Sequence, residues 1–136
     1  MFFTRITNEG SSFTKALRIN KNDENSFIGD FDASGKYVYI IWNGASLDGG
    51  HVFFIRSANN GASFDNINDF GPSNLPINQL DTISNNVYVV WNDKDGGIIF
   101  KASTKNGASF GSTQTLRDSG IVPDIIIRRC CAYSLD

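Results

Sequence analysis

One segment of the chain is repeated, and the repetition limits the folds that the sequence can adopt. Residues 87–110, VYVVWNDKDGGIIFKASTKNGASF, closely reproduce residues 38–64, VYIIWNGASLDGGHVFFIRSANNGASF. The second half of the unit occurs a third time near the beginning, as FFTRITNEGSSF in residues 2–13. The copies end at phenylalanines that are 51 and 46 residues apart: Phe13, Phe64 and Phe110. A period of about 40–50 residues indicates either a solenoid or a propeller made of small repeated units.

The residue types within each unit favour strands over helices. Val38–Trp42 and Val87–Trp91 are runs of β-branched and aromatic residues, which suit the pleated surface of a sheet. A glycine-rich turn and a second apolar run follow each of them, and no segment has apolar residues at helical spacing over three turns. Four short strands in each unit, A to D, are the pattern of a propeller blade.

The repeat divides a single all-β domain, residues 1–136, into two complete units and two half units. Residues 1–20 supply strands C and D of a split blade, and residues 26–70 and 77–118 supply one full blade each. In the full blades strand D is expected at Phe64–Phe70 and Phe110–Arg117, and Gly44–Gly50 is the B–C loop of the first. Residues 121–136 supply strand A of a second split blade, with strand B as an open alternative. Asp32 and Asp81 each precede a tryptophan by ten residues. If Asp124 is aligned with them, Ser134 stands at the tryptophan position, so the sequence does not decide whether strand B is present.

Twelve strands amount to three blades, whereas propellers close with about four to eight. Neighbouring blades pack on both faces of a sheet, which explains why the B strands are apolar at nearly every position. We therefore expect a homodimer in which two copies form a six-bladed ring, with strands A and B of one tail joined to C and D of the other N-terminus. The competing interpretation is a piece of a longer propeller.

The last eight residues of each copy form a turn motif. They read ITNEGSSF, SANNGASF and STKNGASF, and they resemble the Asp-box of the BNR, or sialidase-like, repeat, Ser-x-Asp-x-Gly-x-(Ser/Thr)-(Trp/Phe). A short polar side chain at the third position can bond backbone N–H groups of its own turn, and glycine adopts positive φ without steric cost. The residues that carry the pattern are Asn8, Gly10, Phe13, Ser57, Asn59, Gly61, Phe64, Ser103, Gly107 and Phe110.

The chain departs from this pattern at two positions. The aspartate position holds Asn8, Asn59 and Lys105, and Ile6 replaces the first serine in the first copy. The lysine side chain cannot accept a hydrogen bond. The third turn must therefore rely on Asn106 or on packing.

The resemblance implies that these turns lie between strands C and D, away from any ligand, and are structural. Sialidases of this family use three arginines, a tyrosine nucleophile polarised by a glutamate, and an aspartate acid/base. Here the glutamates are Glu9, in a turn on the wrong face, and Glu24, in a D–A loop, and the Arg-Ile-Pro signature is missing. We therefore expect no catalytic residues and a non-catalytic binding or scaffold module for a glycan or a protein partner. The alternative is a glycoside hydrolase of the exo-sialidase type, or a fragment of one.

The same resemblance assigns the B–C and D–A loops to the ligand face. Trp42 and Trp91 end the B strands, where packing between blades is favoured over stacking on a sugar. The segment 93–97, DKDGG, resembles the start of a calcium loop but lacks the remaining ligands, so a tight turn is favoured. The candidate ligand-face residues are Asn43, Asp48, His51, Asn92, Asp93 and Asp95, with Asp23 and Glu24 beside them.

Composition excludes several other classes of function. The net charge of −2, without a basic cluster beyond Arg128-Arg129, gives no basis for binding nucleic acid. No apolar run is long enough for a membrane span or a signal peptide, and the compartment is left open. Cys130 and Cys131 are adjacent and have no metal-ligand spacing, so we expect no metal and no cofactor.

Overall fold

The computed structural model describes residues 1–20, 25–46, 49–75, 78–120, 125–128 and 131–134, the last two ranges as backbone alone. All of its regular elements are β-strands apart from a single 3₁₀ turn at Asn8–Gly10. The prediction of an all-β chain is therefore confirmed. Within these ranges no helix is long and apolar enough to cross a membrane.

The first four strands form the N-terminal hairpin, a short antiparallel ladder in which each side consists of two short strands. Phe2 and Phe3 pair with Arg18 and Leu17, and farther along the same ladder Ile6 pairs with Phe13. The strands are β1 (Phe2–Phe3), β2 (Ile6–Thr7), β3 (Ser12–Phe13) and β4 (Leu17–Arg18), with β1 beside β4 and β2 beside β3.

Two four-stranded antiparallel sheets follow, and in each the strands are neighbours in chain order. Neither sheet closes on itself. The first sheet contains β5 (Ser26–Ser34), β6 (Tyr37–Ser46), β7 (Gly49–Ser57) and β8 (Asn68–Pro72). The second sheet contains β9 (Asn78–Ile83), β10 (Asn86–Asn92), β11 (Ile98–Ser103) and β12 (Gln114–Arg117).

The tail forms a pair of antiparallel strands, the C-terminal hairpin, made of β13 (Ile125–Arg128) and β14 (Cys131–Ser134). Tyr133 pairs with Ile126, and the corresponding pairs in the two sheets are Tyr39 with Asp32 and Tyr88 with Asp81. Ile126, and not Asp124, therefore occupies the register position of Asp32 and Asp81. The expected alignment is wrong by two residues because backbone pairing, and not the residue type, sets the register, and Asp124 itself lies outside the described residues.

Two predicted segments have different bounds in the structure. Strand D was expected to begin at Phe64 and Phe110, but β8 and β12 begin four residues later in each unit. These phenylalanines pack beneath the preceding turn, and the chain rejoins the ladder only after them. The expected loop from Gly44 to Gly50 is shorter, because the ladder continues as far as the pair Ser46 and Gly49.

The core is built on both faces of β6, whose alternate side chains point in opposite directions. Tyr39 and Ile41 are fully buried against the second sheet, in a cluster with Phe54 and Trp91. Ile40 and Trp42 are buried on the other face, in a cluster with Ile19 and with partly buried side chains of the N-terminal hairpin. Burial of each such side chain stabilises the fold by about 1.5–3 kcal/mol.

The first strands of successive units lie side by side. β5 contacts β9, and β9 contacts β13. Carboxylates on β5 join the first two of these strands: Leu80 N donates to Asp30 Oδ2 at 3.0 Å, and the Thr82 hydroxyl donates to Asp32 Oδ2 at 2.5 Å. The units are therefore joined in the order in which they occur along the chain.

Tyr39 gives a test of this core that depends on pH. Its hydroxyl is buried and has no hydrogen-bond partner among the described residues. Burial, with a smaller contribution from Tyr37, raises the pKa of Tyr39 from 10.0 to about 12. Since the unfolded chain loses this proton near pH 10 and the folded chain near pH 12, the free energy of unfolding should fall between these values. It should be independent of Tyr39 ionisation below them.

We expect Tyr39→Phe to leave the free energy of unfolding at pH 7 unchanged or higher, because a buried hydroxyl without a partner is costly. The same substitution should reduce the loss of stability between pH 10 and pH 12. Urea titrations across this range measure both effects, and Tyr88→Phe, which keeps Tyr39, should retain the full alkaline loss. A large destabilisation by Tyr39→Phe at pH 7 would contradict this account.

Candidate functional site

The three repeat turns, residues 6–13, 57–64 and 103–110, share one backbone hydrogen bond and one glycine with positive φ, although in the first turn Asn8 also has positive φ, at 54°. The N–H of Ala62 donates to Asn59 O at 3.2 Å, and the N–H of Ala108 donates to Lys105 O at 3.0 Å. In the first turn Ser11 N donates to Asn8 O at 3.0 Å. The motif glycines all have positive φ, which only glycine adopts freely: Gly10 at 96°, Gly61 at 74° and Gly107 at 70°.

A buried serine hydroxyl organises the second and third turns. Ser57 Oγ accepts hydrogen bonds from Gly61 N at 2.9 Å and from Asn59 N at 3.3 Å. Ser103 Oγ accepts the corresponding bonds from Gly107 N at 3.0 Å and from Lys105 N at 3.2 Å. The first turn has no such acceptor, because Ile6 stands at the serine position.

Asn59 performs the role expected for the third position of the motif. Its Oδ1 accepts from the Ser57 hydroxyl and from Ser63 N, both at 2.9 Å, and its Nδ2 donates to Ser63 Oγ at 2.8 Å. Lys105 occupies this position in the third turn and has no acceptor atom in its side chain. The second turn therefore has acceptor bonds that the third turn cannot form through this residue.

The turns also join consecutive units. Arg5 Nη1 donates to Asn60 O at 2.9 Å, and Arg56, one repeat later, donates to Asn106 O at 2.9 Å. Arg5 and Arg56 stand at equivalent repeat positions, eight residues before a closing phenylalanine. Arg56 Nε also donates to Asp65 Oδ2 at 2.5 Å within its own unit, but the acceptor type that both arginines share is a backbone carbonyl of another unit. No sequence signal marks such an acceptor.

Aromatic rings accompany these bonds between units. The Phe3 ring packs so closely on Gly61 that a side chain there would collide with it, and Phe54 lies in the same way against Gly107. The closing phenylalanines complete each contact. Phe64 is edge-on to Phe3 with the ring centroids 5.0 Å apart, and Phe110 is edge-on to Phe54 with the centroids 4.9 Å apart. Phe13, which closes the first turn, is 68% exposed.

At the opposite end of the sheets, two of the expected ligand-face residues are buried. Asn43 and Asn92 occupy the same place at the end of strand B of the first and second sheets. Asn43 Nδ2 donates to Leu75 O at 3.2 Å, and Asn92 Nδ2 donates to Gly120 O at 2.7 Å. Asn78 Nδ2 donates in turn to Asn43 Oδ1. These amides hold the connection after strand D in place.

His51 and the Asp93–Gly97 segment also form local structure. The buried His51 ring lies with Nδ1 2.9 Å from the Asp69 carboxylate. Asp93 Oδ1 accepts from Asp95 N at 2.9 Å and from Gly97 N at 2.8 Å, the bonds of a tight turn. Asp95 is exposed and pairs with Lys94. Asp23, Glu24 and Asp48 lie outside the described residues.

A cavity of about 350 Å³ opens at this end of the first sheet. The Phe27 ring is 63% exposed at its rim, and backbone pairing places Phe27 opposite Asn43. Asn25, Asn74 and Leu75 also line the cavity. Of these residues, only Asn43 was expected on the ligand face.

The described ranges hold no group of three or more His, Cys, Asp or Glu side chains that could bind a metal ion. The cavity therefore offers an exposed aromatic ring and neutral amides. This chemistry is suited to a polar, uncharged ligand with apolar faces.

Comparison of the chain with protein-family models, with characterised proteins and with solved structures finds no match.

The difference between Asn59 and Lys105 can be tested by exchanging the residue types. We expect Lys105→Asp to raise the free energy of unfolding by about 1 kcal/mol, because a carboxylate can accept from the third turn as Asn59 does in the second. Asn59→Lys should lower it by a similar amount, as measured by urea denaturation. Lys105→Ala removes the lysine without adding an acceptor and should change little. Destabilisation by Lys105→Asp would show that the turns are not equivalent.

Proposed function

We propose that this chain is half of a six-bladed, sialidase-like propeller, completed by a second copy, and that the ring is a non-catalytic binding or scaffold module. The observation that carries the proposal is a difference in exposure between two equivalent residues. Leu80 pairs with Val89 on the second sheet, and Phe31 pairs with Ile40 at the same place on the first. Leu80 is 5% exposed, whereas Phe31 is 66% exposed.

The exposure of Phe31 has a simple structural cause. Leu80 faces the complete first sheet, which covers it. Phe31 faces the N-terminal hairpin, which is a ladder of two strands where the sheets have four. An exposed phenylalanine side chain at this position favours the binding of a partner that supplies the missing strands.

A second exposed apolar side chain lies close to Phe31. Phe2 of the N-terminal hairpin is 69% exposed and lines one groove together with Phe31. A soluble monomer rarely leaves such residues together on its surface, and grouped exposure marks an interaction surface. In the proposed ring, the C-terminal hairpin of the second copy supplies the two strands that would cover them.

The contacts of Arg5 and Arg56 and the burial of Tyr39 favour a non-catalytic module. Arg5 and Arg56 donate to turn carbonyls between units and are not directed at a common ligand. The Tyr39 hydroxyl is buried, and its pKa of about 12 makes it a weak nucleophile. Exo-sialidase activity, or descent from such an enzyme as a fragment, is the alternative.

The mass of the protein in solution tests ring formation. We expect sedimentation equilibrium to give twice the 14.9 kDa of one chain. Phe31→Asp should shift the population towards monomer, because it places a charge on the surface that the second copy covers. Leu116→Asp, at an exposed apolar residue of the outer strand β12, should keep the dimer. A stable monomer of the unsubstituted chain would contradict the proposal and favour a piece of a longer propeller.

A glycan is the ligand that the Phe27 cavity favours, because exposed rings stack on sugar faces and amides bond their hydroxyls. We expect hits on a glycan array, and at least tenfold weaker binding by Phe27→Ala in calorimetry. Leu116→Ala is the matched control and should bind normally. A fluorogenic sialoside should give no product. Turnover that disappears on a Tyr→Phe substitution would contradict a non-catalytic role, and an empty array would leave the scaffold as the function.

A further inference from the structure

We infer the register in which two copies join: β14 of one copy adds to the edge of β1 and β2 of the other, with Ile6 opposite Ala132 of the partner subunit. The inference rests on the proposed ring and specifies its interface residue by residue. The inferred register is a backbone pairing between the C-terminal hairpin of one copy and the N-terminal hairpin of the other.

The two edges that would meet are unpaired within the described part of the chain. β1 pairs with β4 and β2 with β3, whereas the equivalent strands β7 and β11 each pair on both sides. β14 pairs with β13, whereas its equivalents β6 and β10 also pair on both sides. A strand edge with free N–H and C=O groups is a template for another strand.

The two complete sheets fix the register. Strand B pairs with strand C through Val38 and Ser57 in the first sheet, and through Val87 and Ser103 in the second. Ile6 occupies the position of these serines, because each lies seven residues before its closing phenylalanine.

The equivalent of the two valines follows from the C-terminal hairpin. Ala132 pairs with Ile127 as Val38 pairs with Ala33 and Val87 with Thr82. Ile6 therefore meets the partner's Ala132. The next two pairs along the antiparallel ladder are Arg5 with the partner's Tyr133 and Thr4 with the partner's Ser134.

A groove lies at the free edge, between β1 and the first sheet, and has a volume of about 290 Å³. Phe2, Phe3, Phe31 and Ile40 line it, so a pair of strands docked over the groove would cover the exposed side chains of Phe2 and Phe31. In the sheets the same place is filled by strands A and B of the unit itself.

A second contact follows from the packing of aromatic rings on the turn glycines. Phe3 packs on Gly61 and Phe54 on Gly107, each on the next unit along the chain. Phe100 is the third member of this series, and the unit beyond it would contribute Gly10 of the partner subunit. Gly10 has positive φ, and the space where a side chain would stand is open. The same register therefore places Phe100 against Gly10 of the partner subunit, where this space is open.

Engineered cysteines test the register. In a Cys130→Ser, Cys131→Ser background, the pair Thr4→Cys with Ser134→Cys and the pair Arg5→Cys with Tyr133→Cys stand directly opposite each other. Opposed residues have Cβ atoms about 4.5–5.5 Å apart, while residues displaced by two positions are about 7–8 Å apart. Two adjacent pairs are used because hydrogen-bonded and non-hydrogen-bonded pairs alternate along the ladder. Thr4→Cys with Ala132→Cys is the displaced control.

On mild oxidation, at least one directly opposed pair should form a covalent dimer at least ten times faster than the displaced control, as measured on non-reducing gels. Each variant is first checked for a dimeric mass. If the dimer forms but the control links as fast, or no opposed pair links, the register is wrong while the ring stands. If the unsubstituted protein is a monomer, the proposed ring itself fails, and the register with it.

Discussion

The burial of strand B on both faces is the constraint on which the rest of the structure depends. β6 places Tyr39 and Ile41 against the second sheet, and Ile40 and Trp42 against the N-terminal hairpin. A sheet with two apolar faces is stable only between two neighbours, because exposure of either face would forfeit about 1.5–3 kcal/mol for each large side chain. Each unit therefore needs a unit on either side, and a chain with few units leaves this need unmet at its ends.

The repeat turns supply the second element of the design. Within a turn, a buried serine hydroxyl satisfies backbone N–H groups that the sharp change of direction leaves without ladder partners. Between turns, an arginine and a phenylalanine of one unit contact the backbone of the next. A single short motif thus stabilises both the hairpin that contains it and the packing of its neighbours.

Much of this fold could be predicted from the sequence, because strands B and C consist of β-branched and aromatic runs that recur at a fixed spacing. The beginning of strand D could not, since Phe64 and Phe110 resemble strand residues but pack under the turns. The register of the tail could not either. It is set by backbone pairing, in which Ile126 takes the position of Asp32 and Asp81, whereas residue type pointed to Asp124.

The candidate site was less predictable than the fold. Asn43 and Asn92 were expected on the ligand face, but nothing in their spacing reveals that their amides bond the carbonyls of distant connections. Phe27, Asn25 and Asn74 come together only because two separate segments of the chain meet at the same rim. Side chains that bond to backbone atoms leave no partner residue in the sequence to be noticed, and for this reason the contacts of Arg5 and Arg56 were also missed.

The arginine that bonds the next turn is present in the first two units and absent from the third. Ala102 stands where Arg5 and Arg56 stand in the earlier units, so strand C of the second sheet has no guanidinium at this position. In the proposed ring, the seam beyond the second sheet would lack the bond that Arg5 and Arg56 make to the next turn. Such a ring should separate there first under mechanical or chemical stress, and the released halves could exchange between rings without unfolding.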